Sequence, residues 1–166
     1  LIQNTKGVPI SMVGISTDIT QQKQRETAIR LSEEKFRTLV NTAPFGIQLT
    51  DLNGRIVYSN PAHYKMQGYR PNELIGMHIW DLMANESHRA KAREYYQTIV
   101  KTRPDPAVYF NRDKTRDGRE IEVKINWDYI RNEKDEVTGI ISIIEDITER
   151  KKAEEQLQKS EERFRN

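Results

Sequence analysis

The sequence predicts an α+β domain, and three observations carry that expectation. Residues 46–59, "GIQLTDLNGRIVYS", hold two short apolar stretches around Asn53-Gly54. That pair tolerates the left-handed φ angles of a tight type I′ turn and so marks a β-hairpin. Residues 121–130, "IEVKINWDYI", alternate strictly. Ile121, Val123, Ile125, Trp127 and Tyr129 fall on one face, and Glu122, Lys124, Asn126 and Asp128 on the other, which is the period of a half-buried strand. Between these blocks, residues 61–101 read as helix. Antiparallel hairpins at both ends with helices segregated between them leave one sheet face for a core shared with the helices and one for solvent or a partner.

Taken in order, residues 8–17, "VPISMVGIST", are β-branched and apolar and read as a strand. After Asp18-Ile19-Thr20, residues 21–40 lack Gly and Pro and are rich in helix formers, with Thr20 placed to cap the first turn. Residues 41–44 end that helix. Pro61 opens a short helix, "PAHYKMQGY", and Pro71 a second, "PNELIG". "IWDLM" follows, and then a longer helix over 86–101 puts Ala92, Tyr95, Tyr96 and Ile99 on one face. Strands are expected at 107–112, 121–130 and 137–145, with turns at Asp117-Gly118 and 132–135. Helix resumes after Thr148.

Composition narrows the function classes. The 166 residues are 36% hydrophobic and 31% charged, with a net charge of +2. That balance gives no global argument for nucleic acid, and the basic run 112–119 is broken by Asp113 and Asp117. There is no cysteine, which removes disulfides, thiolate catalysis, cysteine–zinc sites and any cysteinyl cofactor adduct, and fits a cytoplasmic compartment. The longest apolar run, residues 140–144, is far too short to span a bilayer. No membrane contact is expected from these residues. A chain that opens on Leu1 is expected to be a piece of a longer protein.

The chain also repeats itself. At an offset of 128 (160 − 32), "SEEKFR" falls on "SEERFR" and Asp18-Ile19-Thr20 on Asp146-Ile147-Thr148. From Ile15 to Arg37, 11 of 23 positions are identical without a gap. A period of domain length marks tandem modules joined by similar connectors. In both copies 14 residues separate Asp from Ser (32 − 18 and 160 − 146), which is two heptads. Ile29 and Phe36 stand seven apart, as do Leu157 and Phe164, a spacing that suits a seam between paired helices.

The stretches "GIQLTDLNGRIVYSNPAHYKMQGY", "PNELIGMHIWDLM", "TRDGREIEVKINWDYI" and "GIISIIEDITERKKAEEQLQKSEERFR" resemble a PAS domain with its PAC-type C-terminal end, in the tandem form found in signalling proteins. The resemblance places the domain at 41–148, a linker helix at 21–40, the start of the next linker at 149–166 and the last strand of a preceding domain at 1–20. It implies a five-stranded antiparallel sheet of order 2-1-5-4-3 with short helices across one face. It further implies a non-catalytic sensory or dimerisation module that relays a signal through its flanking helices. The expected partners are a second copy, adjacent PAS domains and a C-terminal output domain, a histidine kinase first and a cyclic-dinucleotide synthase second. Haem or flavin sensing and a structural spacer with a filled core are the competing readings.

Candidate residues follow from these readings. A ligand pocket between sheet and helices would draw on Ile47, Tyr58, Asn60, Met66, Ile79, Trp80, Phe110, Ile125, Trp127 and Ile141, with Asn60 favoured as a turn former. The polar tips of Trp127 and Tyr129 want partners if buried. Asp18, Thr20, Asp146 and Thr148 form the expected relay junctions, and Ile29, Phe36, Leu157 and Phe164 the seam. His63 and His78 adjoin helix starts and read as surface or half-buried. The resemblance implies that haem-binding members use a histidine inside the long helix, and His88 stands about one turn too early, which fits a capping role. Asp51 reads as a turn residue, and Asp81 and Glu73 stand singly with no metal-ligand spacing. No catalytic residue, metal or resident cofactor is expected, and an unidentified small molecule is the ligand class left open.

Overall fold

The structure, a computed structural model, describes residues 2–3, 5–7, 9–11 and 18–165, with side chains over 5–7 and 18–163. The chain divides into two compact units, residues 1–38 and 39–166. In the first, Ile2–Gln3 pairs antiparallel with Pro9–Ser11. The strand expected over 8–17 is described only at Pro9–Ser11, and its remaining residues lie outside the described ones. Helix α1 (Thr20–Thr42) follows, uninterrupted by Gly or Pro.

The second unit holds strands β1 (Gly46–Asp51), β2 (Ile56–Ser59), β3 (Val108–Lys114), β4 (Glu120–Arg131) and β5 (Val137–Asp146). They form one antiparallel sheet in the order β2-β1-β5-β4-β3, the expected 2-1-5-4-3 arrangement. Helices α2 (Pro61–Gln67) and α3 (Glu86–Thr102), with a 3₁₀ turn at Ile79–Leu82, connect β2 to β3, and α4 (Thr148–Arg165) leaves from β5. The segment after Pro71 is a run of turns rather than a helix. Asn72 takes a positive φ of 69°, which no α-helix accommodates, and the Arg70 and Asn72 carbonyls each accept only one i+3 bond.

All three hairpins of the five-stranded sheet use the same device. In each, the residue before the loop exchanges its N–H with the carbonyl four residues on, and its own carbonyl accepts from the residue three on. The pairs are Asp51/Arg55 with Gly54, Thr115/Arg119 with Gly118, and Asn132/Glu136 with Asp135. The third loop residue is left-handed each time, with φ of 79°, 88° and 63°. These are three-residue loops. At Asn53-Gly54 only Gly54 has positive φ, so the expected two-residue type I′ turn is not formed. The Asp51 carboxylate explains why, since its Oδ1 accepts the N–H groups of both Asn53 and Arg55 at 2.9 Å and winds the loop around itself.

Side chains sort by register. Gly46, Gln48 and Thr50 of β1 face inward beside Ile144, Ser142 and Ile140 of β5, and Ile125, Trp127 and Tyr129 of β4 continue these rows. The core lies between this face and the helices, built on Ile56, Tyr64, Leu74 and Leu82 at one side and on Tyr96, Ile99, Trp127 and Ile140 at the other. The opposite face carries Ile47 and Leu49 against Ile143 and Ile141.

Asn60 joins these layers. It is fully buried, and its Oδ1 accepts from the N–H groups of Ile47 (2.8 Å) and His63 (3.0 Å), the second bond capping α2. Its Nδ2 donates to the carbonyls of Val40 (3.0 Å) and Phe45 (3.1 Å). Replacing Asn60 with Ala removes these four bonds; the His63 N–H keeps its 3.1 Å bond to the residue 60 carbonyl, while the Ile47 N–H and the Val40 and Phe45 carbonyls lose their side-chain partner. The expected cost is about 2–4 kcal/mol of unfolding free energy in urea titration. A loss below about 1 kcal/mol would contradict this account of the residue.

Candidate functional site

Between the inner face and α2, the 3₁₀ turn and α3 lies a cavity of about 50 Å³, room for on the order of three or four water molecules. Its apolar wall includes Ile79, Leu82, Ile99, Ile125 and Ile140. An aromatic wall stands beside it. Tyr95 stacks on Tyr109 at 4.5 Å and meets Trp127 edge-on, and Trp127 Nε1 donates to the Tyr95 hydroxyl at 3.1 Å. The Tyr96 hydroxyl bonds Thr50 Oγ1 at 2.8 Å, and burial pushes it up to about 12. Tyr129 turns its hydroxyl to the Pro104 carbonyl at 2.9 Å.

Of the residues expected at the pocket, Ile79, Ile125 and Trp127 line the cavity. Ile47, Tyr58 and Ile141 do not. They belong to the opposite sheet face, where Leu49 stands opposite both Tyr58 and Ile141 and Ile47 opposite Ile143. Phe110 is 55% exposed, and its neighbour Tyr109 points inward instead. The cause is shared, because apolar character alone does not choose the inner face: β1 turns its aliphatic residues outward, and β3 and β5 carry apolar residues on both faces. Met66 packs on Ile121, Val123 and Ile144. Trp80 lies against Gly54, stacks on His78 at 4.6 Å and meets Tyr96 edge-on. Asn60 is the α2 cap.

The polar members of the cavity are residues that sequence reasoning passed over. His63 is completely buried, which corrects its reading as a surface or half-buried residue; as the third residue of α2 it projects onto Gly46, where the absent Cβ leaves room for its ring. Its Nδ1 bonds Ser59 Oγ at 2.8 Å, and burial drives it down to about 4, so it is neutral near pH 7. Asp113 is buried, and burial pushes its carboxyl up to about 7, against a hydrogen bond from Gln67 Nε2 at 2.6 Å and with repulsion from Asp146. Four buried atoms here have no partner: Gln48 Oε1, His63 Nε2, Gln67 Oε1 and Asp113 Oδ1. The spacing of His63 and Gln67, four apart and on one helix face, was the available signal.

The other candidate residues sit elsewhere. His78 is half-buried, and its N–H meets Asp81 Oδ2 at 3.0 Å. His88 bonds the Asn85 cap of α3 through its N–H at 3.0 Å, and Asp51 shapes its loop as expected. Glu73 lies in the turn after Pro71, accepts the Arg70 N–H at 2.7 Å and pairs with Arg116.

At the C-terminal corner, Asp146 Oδ1 accepts the Thr148 N–H at 2.9 Å, and Asp18 does the same for Thr20 at 2.9 Å. The Thr148 hydroxyl accepts the Glu122 N–H at 2.9 Å, and the Ile147 N–H donates to the Glu122 carbonyl at 2.9 Å. The Glu122 carboxylate binds Arg112 of β3 at 2.6 Å and Lys151 of α4 at 3.2 Å. Sequence reading placed Glu122 on the polar face and went no further. Of the seam residues, Ile29, Phe36 and Leu157 are exposed, and the Phe164 side chain lies outside the described residues.

The two buried titrating groups have opposite linkage to folding. Between about pH 4 and 6.5 the unfolded chain holds a proton on residue 63 that the fold rejects, so this group withdraws stability as pH falls. Between 3.8 and about 7 the fold holds a proton on Asp113 that the unfolded chain releases, so this group withdraws stability as pH rises. The unfolding free energy of the wild type minus that of Asp113→Asn is therefore expected to fall with pH across this window, at up to about 1.4 kcal/mol per pH unit. The same difference for His63→Gln is expected to rise between about pH 4 and 6.5. Urea titrations across pH measure both, and parallel curves for wild type and variants would refute the assignment.

A family profile described as the PAS fold matches residues 34–147. Among curated proteins, sporulation kinase C of Bacillus subtilis is 28% identical over 135 residues, covering 81% of this chain and 31% of that protein. The C4-dicarboxylate transport sensor protein DctS of Rhodobacter capsulatus is 26% identical over 148 residues, covering 87% and 22%. A nitrogen fixation regulatory protein of Klebsiella oxytoca is 28% identical over 113 residues, covering 68% and 22%. The chain thus spans less than a third of the length of each relative. Among solved structures, the PAS domain of an HTR-like protein from Haloarcula marismortui matches 75% of this chain and 99% of its own, at a TM-score of 0.63 and 21% identity. An RNA-binding light-oxygen-voltage receptor matches 93% and 42%, at 0.61 and 23%. The likeness of these structures is one of fold, the curated relatives support a role in signalling, and the profile match over most of the sheet and helices settles the family: the chain belongs to the PAS family.

Proposed function

We propose that this chain is a non-catalytic sensory module of a multidomain signalling protein. Occupancy of the cavity moves β5, and the corner at residues 146–148 passes that movement through α4 to an output domain, a histidine kinase in the leading reading. The observation that carries the proposal is continuity. Ile140, Ser142 and Ile144 of β5 line the cavity, and two residues further along the same strand Asp146 holds the start of α4. Glu122 then ties that start to β4 by two backbone bonds and one ion pair. The small cavity supports a small ligand over haem or flavin, since sites for drug-sized molecules run to about 300–1,000 Å³.

Pairing with a second copy supports the same reading. The outer sheet face exposes Ile143, and Ile29, Phe36 and Leu157 are exposed on the helices. Such apolar positions are covered in a parallel assembly of sheets and linker helices. Light scattering of the purified chain is expected to report a dimer that Ile143→Asp combined with Leu157→Asp converts to monomer. A monomeric wild type would remove the pairing element.

Signalling tests the corner. In the full-length parent, Asp146→Ala and Glu122→Gln are expected to uncouple output from the sensory input while the isolated chain keeps its circular dichroism spectrum. The stability cost is expected to be small, on the order of 1 kcal/mol, because these groups are partly exposed. Unchanged output from both variants would overturn the relay.

A further inference from the structure

The unpartnered atoms around the cavity have a chemical bias. Gln67 donates its amide to Asp113 Oδ2, which fixes the orientation of that amide and leaves its oxygen free as an acceptor. Asp113 Oδ1 and Gln48 Oε1 are further oxygens without a donor. All three residues are at least nine-tenths buried, at 0%, 3% and 5% exposure. Gln48 and Asp113 line the cavity itself, and Gln67 stands directly behind Asp113. Buried oxygens without donors are costly, and natural cores rarely keep several together without something to fill them.

The charges acting on this group sharpen the bias. Asp113 is influenced by Asp146 from β5 and Gln67 from α2, while Tyr109 on its own strand feels its charge, and the other titratable groups lining the cavity, the neutral His63 and the phenols of Tyr95 and Tyr96, supply no cation. Among the described residues, none of the ion pairs supplies a lysine or arginine to Asp113. A buried carboxyl without a cation is half of a pair. The cavity is also lined by the rings of Tyr95, Tyr96, Tyr109 and Trp127, a surface that suits an alkyl group.

We propose that the cavity binds a small primary amine as its ammonium ion, with the N–H groups on Asp113 and Gln48, the Gln67 amide holding the Asp113 carboxylate in place, and the alkyl end against the aromatic wall. This rests on the reading of the cavity as a sensory site and names the ligand class for it. Four kinds of buried feature are satisfied at once: the free oxygens of Asp113 and Gln48, the unpaired carboxyl, the aromatic faces and the small volume.

The test is a thermal-shift and calorimetric titration of the whole chain with ethylammonium chloride. Sodium chloride at equal ionic strength, tetramethylammonium, acetamide and propionate serve as comparison probes. A ligand of this size binds no tighter than about millimolar, which sets the concentrations. Ethylammonium is expected to raise the melting temperature where sodium chloride and tetramethylammonium, which lacks N–H donors, do not. Asp113→Asn and Gln67→Met are each expected to weaken binding about tenfold. Two variants are used so that failure of one to fold leaves the other to decide. Binding of acetamide or propionate in place of ethylammonium would overturn the amine while leaving a sensory cavity standing. Binding of no probe would overturn the amine and the sensory cavity together. Equal ethylammonium binding by wild type and both variants would overturn the assignment of residues.

Discussion

The four hydrogen bonds of the Asn60 side chain hold the domain in register with itself. One amide without access to water satisfies the end of α1, the loop before β1, the first turn of β1 and the first turn of α2. No other side-chain type offers two donors and two acceptors in this geometry at this length. The position of α2 over the sheet follows from it, and so does the place of His63 in the cavity wall. A polar group at the centre of a core specifies more than an apolar one, because it tolerates only arrangements that pair every atom.

The corner at residues 146–148 and its counterpart at 18–20 show that the sequence repeat is a repeat of geometry. In both, the Asp carboxylate takes the N–H of the following Thr at 2.9 Å, and a Lys N–H closes the first helical turn onto the intervening Ile carbonyl, at 3.0 Å for Lys23 and 2.9 Å for Lys151. Asp, Ile, Thr and Lys, whose side chains or backbone build the corner, are identical in the two copies, as are Glu26 and Glu154 and the Ser-Glu-Glu and Phe-Arg positions further along the helix. The helix residues between them vary freely, as solvent-facing helix positions do. A connector of this kind has a hydrogen-bonded first turn set by its corner, the element through which the proposed relay would act.

Much of the fold was legible because β4 is apolar on one side only. Its alternation from Ile121 to Tyr129 fixed its inner face, and with it the orientation of the sheet. The candidate site was less legible, for a matching reason. In β1, "GIQLT" sends its polar residues inward and its aliphatic ones outward, so Ile47 was a natural but mistaken choice over Gln48. Ile141 and Phe110 were mistaken for the same cause, each one residue out of phase with an inward neighbour. The phase of such strands is set by their partners: Gly139 lies so close to the Thr50 carbonyl that a Cβ there would approach it to 2.3 Å, and this contact has no signature in either strand alone. His63 and Glu122 were missed because burial and partnership depend on elements about fifteen to thirty residues away.

The three matching hairpin loops bear on what kind of motion the sheet can carry. Each is closed by two backbone bonds and a left-handed residue at a fixed place, Gly54, Gly118 or Asp135. Sliding a strand by a residue would break both closing bonds and turn its side chains to the other face of the sheet. The strands are therefore pinned lengthwise at their tips but remain free to twist about their axes. In the relay proposed above, a movement imparted to β5 by the cavity would reach α4 as torque rather than as translation.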